Sequence, residues 1–233
     1  MNIKLKNTIT LGVSTLFMLQ LIGCTPNKNQ EKYHELKIEE KQQINNAIQQ
    51  EQEEEQINKQ KKLQNKIEQM ENDLTSIIQY ILVYDLKSEC EKIDNDIKYI
   101  PFKENTLSYS KINNFKEDLS KYDETLQNYA SIYIEYLEQI QSIVVDMMKD
   151  LSESRKKNNV ISATSFEHIN KEYSKKIEGI KIKYNEKLNS YYEEEMLNYQ
   201  TQNNVTITKP NVLISNSFYK AYLSLENLFS NSN

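Results

Sequence analysis

The chain has 233 residues and a formal net charge of −5, with three glycines and three prolines, far below average usage of about 7% and 5%. So few glycines exclude a many-stranded sheet with tight turns and a glycine-rich phosphate loop. The mild acidity excludes a nucleic-acid partner and tight binding to anionic headgroups, both of which want a basic face.

Lys4 and Lys6 precede a short apolar run, Leu11 to Ile22, closed by Leu21-Ile22-Gly23-Cys24. A basic start, an apolar run of this length and a small residue before the cut make an export signal. The run is shorter than the roughly 20 apolar residues of a spanning helix. Leu21-Ile22-Gly23-Cys24 resembles the lipobox of bacterial lipoproteins. That resemblance implies cleavage between Gly23 and Cys24 and a diacylglyceryl thioether on Cys24, often with an acylated new N-terminus. It implies a lipid anchor on the extracytoplasmic face of the cell membrane, or on the outer membrane of a Gram-negative cell. Loss of Lys4 and Lys6 with the signal moves the formal charge to −7.

Residues 24–56 read as a polar stalk. Pro26 and Asn27 keep the helix from starting at once. Beyond them lie Glu, Gln and Lys with sparse apolars, Leu36, Ile44 and Ile48, and Gln49 to Gln56 carries none. Such residues lose little rotamer freedom in a helix, so propensity is high while a packing face is missing. The runs Glu53-Glu54-Glu55 and Glu193-Glu194-Glu195 read as solvated faces, because consecutive carboxylates on a helix point to different sides.

A bundle domain is expected over 57–230. Leu63, Ile67, Met70, Leu74, Ile77, Ile81 and Tyr84 step alternately by four and three, a heptad seam. Near Tyr84 the stripe shifts to Leu82, Leu86, Cys90, Ile93 and Ile97, and Pro101 is expected to end the helix at Tyr99. Cys90 reads as a packed thiol; with Cys24 lipidated it has no intramolecular partner. A second helix, near 111–156, carries two apolar stripes. Ile112, Phe115, Leu119, Tyr122, Leu126, Tyr129, Tyr133, Tyr136, Ile140, Ile143 and Met147 form one; Ala130, Ile134, Leu137, Val144, Met148 and Leu151 form the other. Two stripes predict two neighbours and a central place, with Tyr129 to Ile140 the most buried segment. Thr164 and Glu167 fit a capping box for a third helix, near 165–200, with Phe166, Ile169, Tyr173, Ile177, Ile180, Tyr184, Leu188 and Tyr191 as its face. Gly179 interrupts it without a reason legible in the sequence. Pro210 is expected to bar a helix, and a short last one near 216–230 has Phe218, Tyr222, Leu225 and Phe229 as its face. The fold class is therefore all-α: an elongated antiparallel three-helix bundle or coiled coil, the three helices running up, down, up, with a short C-terminal helix and a long N-terminal helical stalk.

No catalytic constellation stands out. His34 and His168 have no companion at metal-ligand spacing. There is no nucleophile elbow, no Cys/His pair and no marked buried pair of carboxylates. No metal, cofactor or catalytic residue is expected, and the chain is read as a non-enzyme. The sixteen tyrosines read first as a packed core whose hydroxyls reach the rim, and second as a surface for sugars or a partner protein. The layout resembles small helical lipoproteins of Gram-positive bacteria described as cell-wall-binding, on a lipobox, a Glu/Gln/Lys-rich first helix and a Tyr-rich bundle. That resemblance implies a cell-wall polymer as partner and assigns no residues. The alternative is an immunity, exclusion or chaperone-like lipoprotein that binds an exported protein.

Overall fold

The computed structural model describes residues 28–160 and 162–230. The expected cleavage and lipidation positions, Gly23 and Cys24, lie outside the described residues, and so does the side chain of His34. The described residues are helical throughout, with connections between and no strand, so the fold is all-α. Its contacts divide into two compact units, Met1–Gln56 and Ile57–Asn233. No helix among the described residues is long and apolar enough to cross a membrane.

In the first unit, residues 41–56 are helical and every side chain is exposed, Ile44 and Ile48 included. They belong to α1, Lys28–Gln79. From Leu63 onward α1 presents the heptad seam: Ile67, Met70, Leu74, Ile77 and Ile81 are buried. The stripe shift has a structural cause. Tyr80–Asp85 is a π-helical turn that joins α1 to α2, Leu86–Asn95. A π turn inserts a residue, which rotates the following face by about 100°. It moves Tyr84 out to solvent and brings Asp85, Glu89 and Ile93 in. The helix ends at Asn95, four residues before the expected Tyr99. Asp96 is extended there, and its carboxylate accepts the Lys98 N–H. This local turn wins because a short acidic side chain competes with the helix for its own backbone.

The expected helix over 111–156 is two helices. α3 spans Leu107–Asp118 and α4 spans Glu124–Asn158. Tyr122 and Asp123 between them are extended, and Asp123 caps α4 by accepting the Leu126 N–H. The apolar stepping runs through the break undisturbed because both helices face the same core. α4 also runs past Ser152 to Asn158, and Asn159 closes it in the left-handed region at φ 58°. α5, Ala163–Tyr191, starts at Ser162, whose hydroxyl accepts the Ser165 N–H; the Thr164–Glu167 box is not used. A second π turn, Tyr192–Met196, leads into α6, Leu197–Asn203. Val205 and Ile207 of the following extended segment point into the core. Its backbone is satisfied by side chains of α1: Gln64 bonds Thr206 on both its N–H and C=O, and Glu71 accepts from the Thr208 N–H and hydroxyl. Pro210 does not bar the last helix but opens it. α7 is Pro210–Ser230, with proline in the first turn, where its missing N–H costs nothing.

The directions also differ from up, down, up. Asp85 meets Leu107 while Lys66 donates to the Lys121 carbonyl, so α3 runs antiparallel to α1. α4 turns again and climbs beside the first helix: Cys90 meets Met148, and Arg155 donates to the Asp94 carbonyl. The long expected neighbours are therefore parallel, because the break at Tyr122–Asp123 adds a reversal. α5 descends antiparallel to α4, with Tyr173 on Asp150, Lys187 on Glu135 and Tyr191 on the Thr125 carbonyl. α7 climbs again beside α1, Ser217 meeting Thr75 and Gln79 meeting Ser224. Its buried face agrees with the expected one in part: Phe218 packs partly buried against the core and Leu225 is half-buried, while the side chain of Phe229 lies outside the described residues. Tyr222 is 61% exposed, and Leu213, Ile214, Ser217 and Ala221 are buried instead. Ser217 of that face meets Thr75 of α1, and a reading by size leaves such small residues out.

α4 is the centre, as its two stripes predict: Tyr129, Ala130, Tyr136, Leu137 and Ile140 are fully buried. The apolar core falls into two clusters. The larger joins α1, α3, α4, α5, α6 and α7; the smaller joins Ile93 of α2, Met147, Met148 and Leu151 of α4, and Tyr173 of α5. Gly179 has no packing reason: a Cβ there meets nothing within 4 Å.

Candidate functional site

The tyrosines divide as their positions dictate. Tyr129 and Tyr133 meet edge to face at 5.2 Å, Tyr129 stacks on Tyr191 at 6.2 Å, and Tyr136 lies 5.7 Å from Tyr184. Burial pushes the Tyr129, Tyr133 and Tyr136 phenols above their ordinary range, so they are neutral packing groups. Nearer the rim, Tyr199 donates to Asp123, which also caps α4, and Tyr173 donates to Asp150. Tyr173 and Tyr199 are core rings with satisfied tips, as in the first of the two sequence readings, whereas the buried Tyr133 and Tyr136 hydroxyls have no hydrogen-bond partner.

The π turn builds a polar cluster that sequence reasoning missed. Asp85 and Glu89, one turn apart, are both almost wholly buried. Asp85 Oδ1 accepts the N–H groups of Leu107 and Ser108 at 2.7 and 3.2 Å, and so holds the N-terminus of α3. Burial nevertheless raises the Asp85 carboxyl above the usual range. Gln141 Nε2 donates to the Thr106 and Ser108 hydroxyls at 3.0 and 2.6 Å. Asp85 Oδ2 and Gln141 Oε1 are left without a protein donor. Glu89 accepts from Lys92 and from Tyr99, and Ser152 donates to the Tyr99 carbonyl. The Tyr99 phenol is raised by burial and by that carboxylate. Leu107 and Ser108 tie α3 to the π turn and Tyr99 ties the segment after α2 to Glu89, whereas Lys92 pairs with Glu89 within α2. The arrangement holds these elements together. A signal did exist: Asp85 and Glu89 fall on the shifted stripe beside Leu82 and Leu86.

Cys90 is half-buried, its Sγ 3.8 Å from Met148 Sδ. Burial, then the charges of Asp94, Glu89 and Glu91, push its thiol up to about 11. A thiol held protonated is a packing group. His168 is exposed, as are both triple-glutamate runs. Among the described residues no group of three or more His, Cys, Asp or Glu is placed to hold a metal ion.

The polar surface feature best placed for binding is the groove between α1 and α3. A cleft of about 200 Å³ is lined by Asp73 and Ser76 on one wall and Lys111, Asn114 and Asp118 on the other. Aromatic rings of the π turn lie beyond Lys111. Lys111 lies 4.9 Å over the Tyr80 ring, and Tyr84, 42% exposed, lies 5.0 Å from Tyr80. At the far end Tyr122 is half-buried, its phenol raised by burial and by the charges of Asp73 and Asp118. Carboxylate, amide and hydroxyl groups between aromatic faces suit a ligand that carries many hydroxyls on a C–H framework. Comparison of the chain with protein-family models, with curated proteins and with solved structures finds no match.

Proposed function

We propose that this chain is a non-enzymatic envelope lipoprotein, held to the membrane by a diacylglyceryl thioether on Cys24. Residues 24–56 space the bundle from the lipid, and the bundle binds cell-wall polymer along the α1–α3 groove. The observation that carries the proposal is Leu21-Ile22-Gly23-Cys24 at the end of an apolar run behind Lys4 and Lys6. Two or more acyl chains give stable anchoring where one does not. The hydrogen bonds that Asp85 Oδ1 and Glu89 accept from groups of the bundle support a binding role.

The test has two arms. Cys24→Ala in the full chain is expected to release the protein from membrane fractions; continued detergent-dependent retention would defeat the anchor. The soluble 25–233 chain is expected to co-sediment with purified peptidoglycan, and Tyr84→Ala with Asn114→Ala to lower that binding. Hydrolysis of the same peptidoglycan, abolished by a single carboxylate change, would overturn the non-enzymatic role.

One observation favours the second reading, an exported protein partner. Tyr219 and Tyr222 on α7 are 62% and 61% exposed, and tyrosine is enriched at protein interfaces. Recovery of one exported protein with the soluble chain from native envelopes, lost in Tyr219→Ala with Tyr222→Ala, favours that reading over the wall.

A further inference from the structure

α1 and α7 run side by side, pinned where Ser217 meets Thr75 and Gln79 meets Ser224. Between them lies a cleft of about 340 Å³, whose buried lining is Thr75 and Leu213. It lies on the far side of α1 from the wall-binding groove. Glu71, Asn72 and Thr75 line the one, and Asp73, Ser76 and Ile77 the other; successive helix residues step round the axis by about 100°.

The charged residues of the lining are Glu71 and Lys220, and they are not equivalent. Glu71 is engaged: its oxygens accept the Thr208 N–H and hydroxyl, both at 2.7 Å. Lys220 is exposed, and among the described residues its ammonium has no ion pair and no hydrogen bond. With Ser217 against Thr75, Lys220 and Glu71 stand roughly two turns apart along the seam. Asn72 and Asn216 face the cleft from α1 and from α7, and neither carboxamide bonds another described residue. A carboxamide carries both donors and an acceptor, as a peptide group does. Tyr219, 62% exposed, and Leu223, 39% exposed, give the mouth an apolar side; they are four residues apart and share a helix face.

A single unpaired ammonium matches a single negative charge, and carboxamides beside it match an amide. A carboxylate next to an amide is the end of a peptide chain, and capture of that group is a recurring mode of recognition. We propose that the α1–α7 cleft binds the end of a short peptide: its terminal carboxylate at Lys220, its last amide between Asn72 and Asn216, and its side chain against Tyr219 and Leu223. The cleft is at the small end of ligand pockets, about 300–1,000 Å³, and spaces between bundle helices are a common place for them. The inference stands apart from the lipid anchor and the α1–α3 groove, so loss of peptidoglycan binding would leave it in place.

The test follows the Leu223 methyl resonances of the full chain in detergent at neutral pH, with N-acetyl-alanyl-alanine, its C-terminal carboxamide and butyrate as probes. The acid is expected to shift them saturably and to bind about threefold more tightly than the carboxamide, as an exposed ion pair allows. Butyrate, with the carboxylate and no amide, should bind more weakly than the acid. Lys220→Gln should erase the preference for acid over carboxamide while leaving carboxamide binding as it was. Asn72→Leu fills the cleft from an exposed position, so the fold is kept, and should abolish the shift with an unchanged helical signal. No saturable shift, an unaffected Asn72→Leu variant, or carboxamide or butyrate bound by the parent chain as tightly as the acid would overturn the proposal.

Discussion

Residues 41–56 and residues 63–81 are both helix, yet they are held by different physics. The first stretch is Gln- and Glu-rich, and its isoleucines stand in water: Ile44 is 58% exposed and Ile48 47%. The second places Ile67, Met70, Leu74, Ile77 and Ile81 against α4, α5 and α7. In the first, only side-chain propensity and local pairing favour the helix; in the second, burial of an apolar stripe does. The difference teaches that helical content alone does not measure where stability resides. A substitution has to remove a contact before it can report one.

The sharpest way to break the comparison is Ile140→Asp. Ile140 is fully buried at the centre of α4, and an aspartate there must stay protonated or open the bundle. The expected loss is about 4 kcal/mol or more, read as a collapse of the urea or thermal midpoint of the 25–233 chain. A small loss would mean α4 is not the centre. Asp123→Ala is next. It removes the α4 cap and the acceptor of the Tyr199 hydroxyl, and is expected to cost ~1–2 kcal/mol. If urea unfolding of that variant matches the parent, the reversal at Tyr122–Asp123 is not held by its cap. Gly179→Ala works in the other direction. The added methyl has open space and no left-handed backbone to oppose it, so thermal unfolding should rise by an amount equivalent to about 1 kcal/mol. A lower midpoint would reveal a neighbour at that position. Ile48→Asp is the smallest, within about 0.5 kcal/mol of the parent. Should its urea midpoint fall as far as that of Ile140→Asp, the division between an exposed and a packed stretch of helix is wrong.

The sequence by itself determined the all-helical class, the exposure of 41–56, the heptad seam of α1 and the central place of α4. These are consequences of which residues recur on one face of a helix, and a face is defined by nearest neighbours along the chain. A shift of the stripe near Tyr84 was legible, although its cause, a π turn, and the exposure of Tyr84 were not. The tertiary structure decided the rest. An apolar stripe states which face is buried but not against what, nor in which direction the partner runs, so it carried no record of the reversal at Tyr122–Asp123 or of the parallel course of α1 and α4. The buried face of α7 takes in Ser217 and Ala221 beside Leu213 and Ile214 and leaves Tyr222 out, because the neighbours that a helix meets, and not side-chain size, decide which residues are covered. The partners of the Asp85–Glu89 cluster were not legible for a related reason, although both residues fall on the shifted stripe. A carboxylate is buried only where donors meet it, and those that meet Asp85 come from Leu107 and Ser108, residues brought to it by the fold and not by the chain beside it.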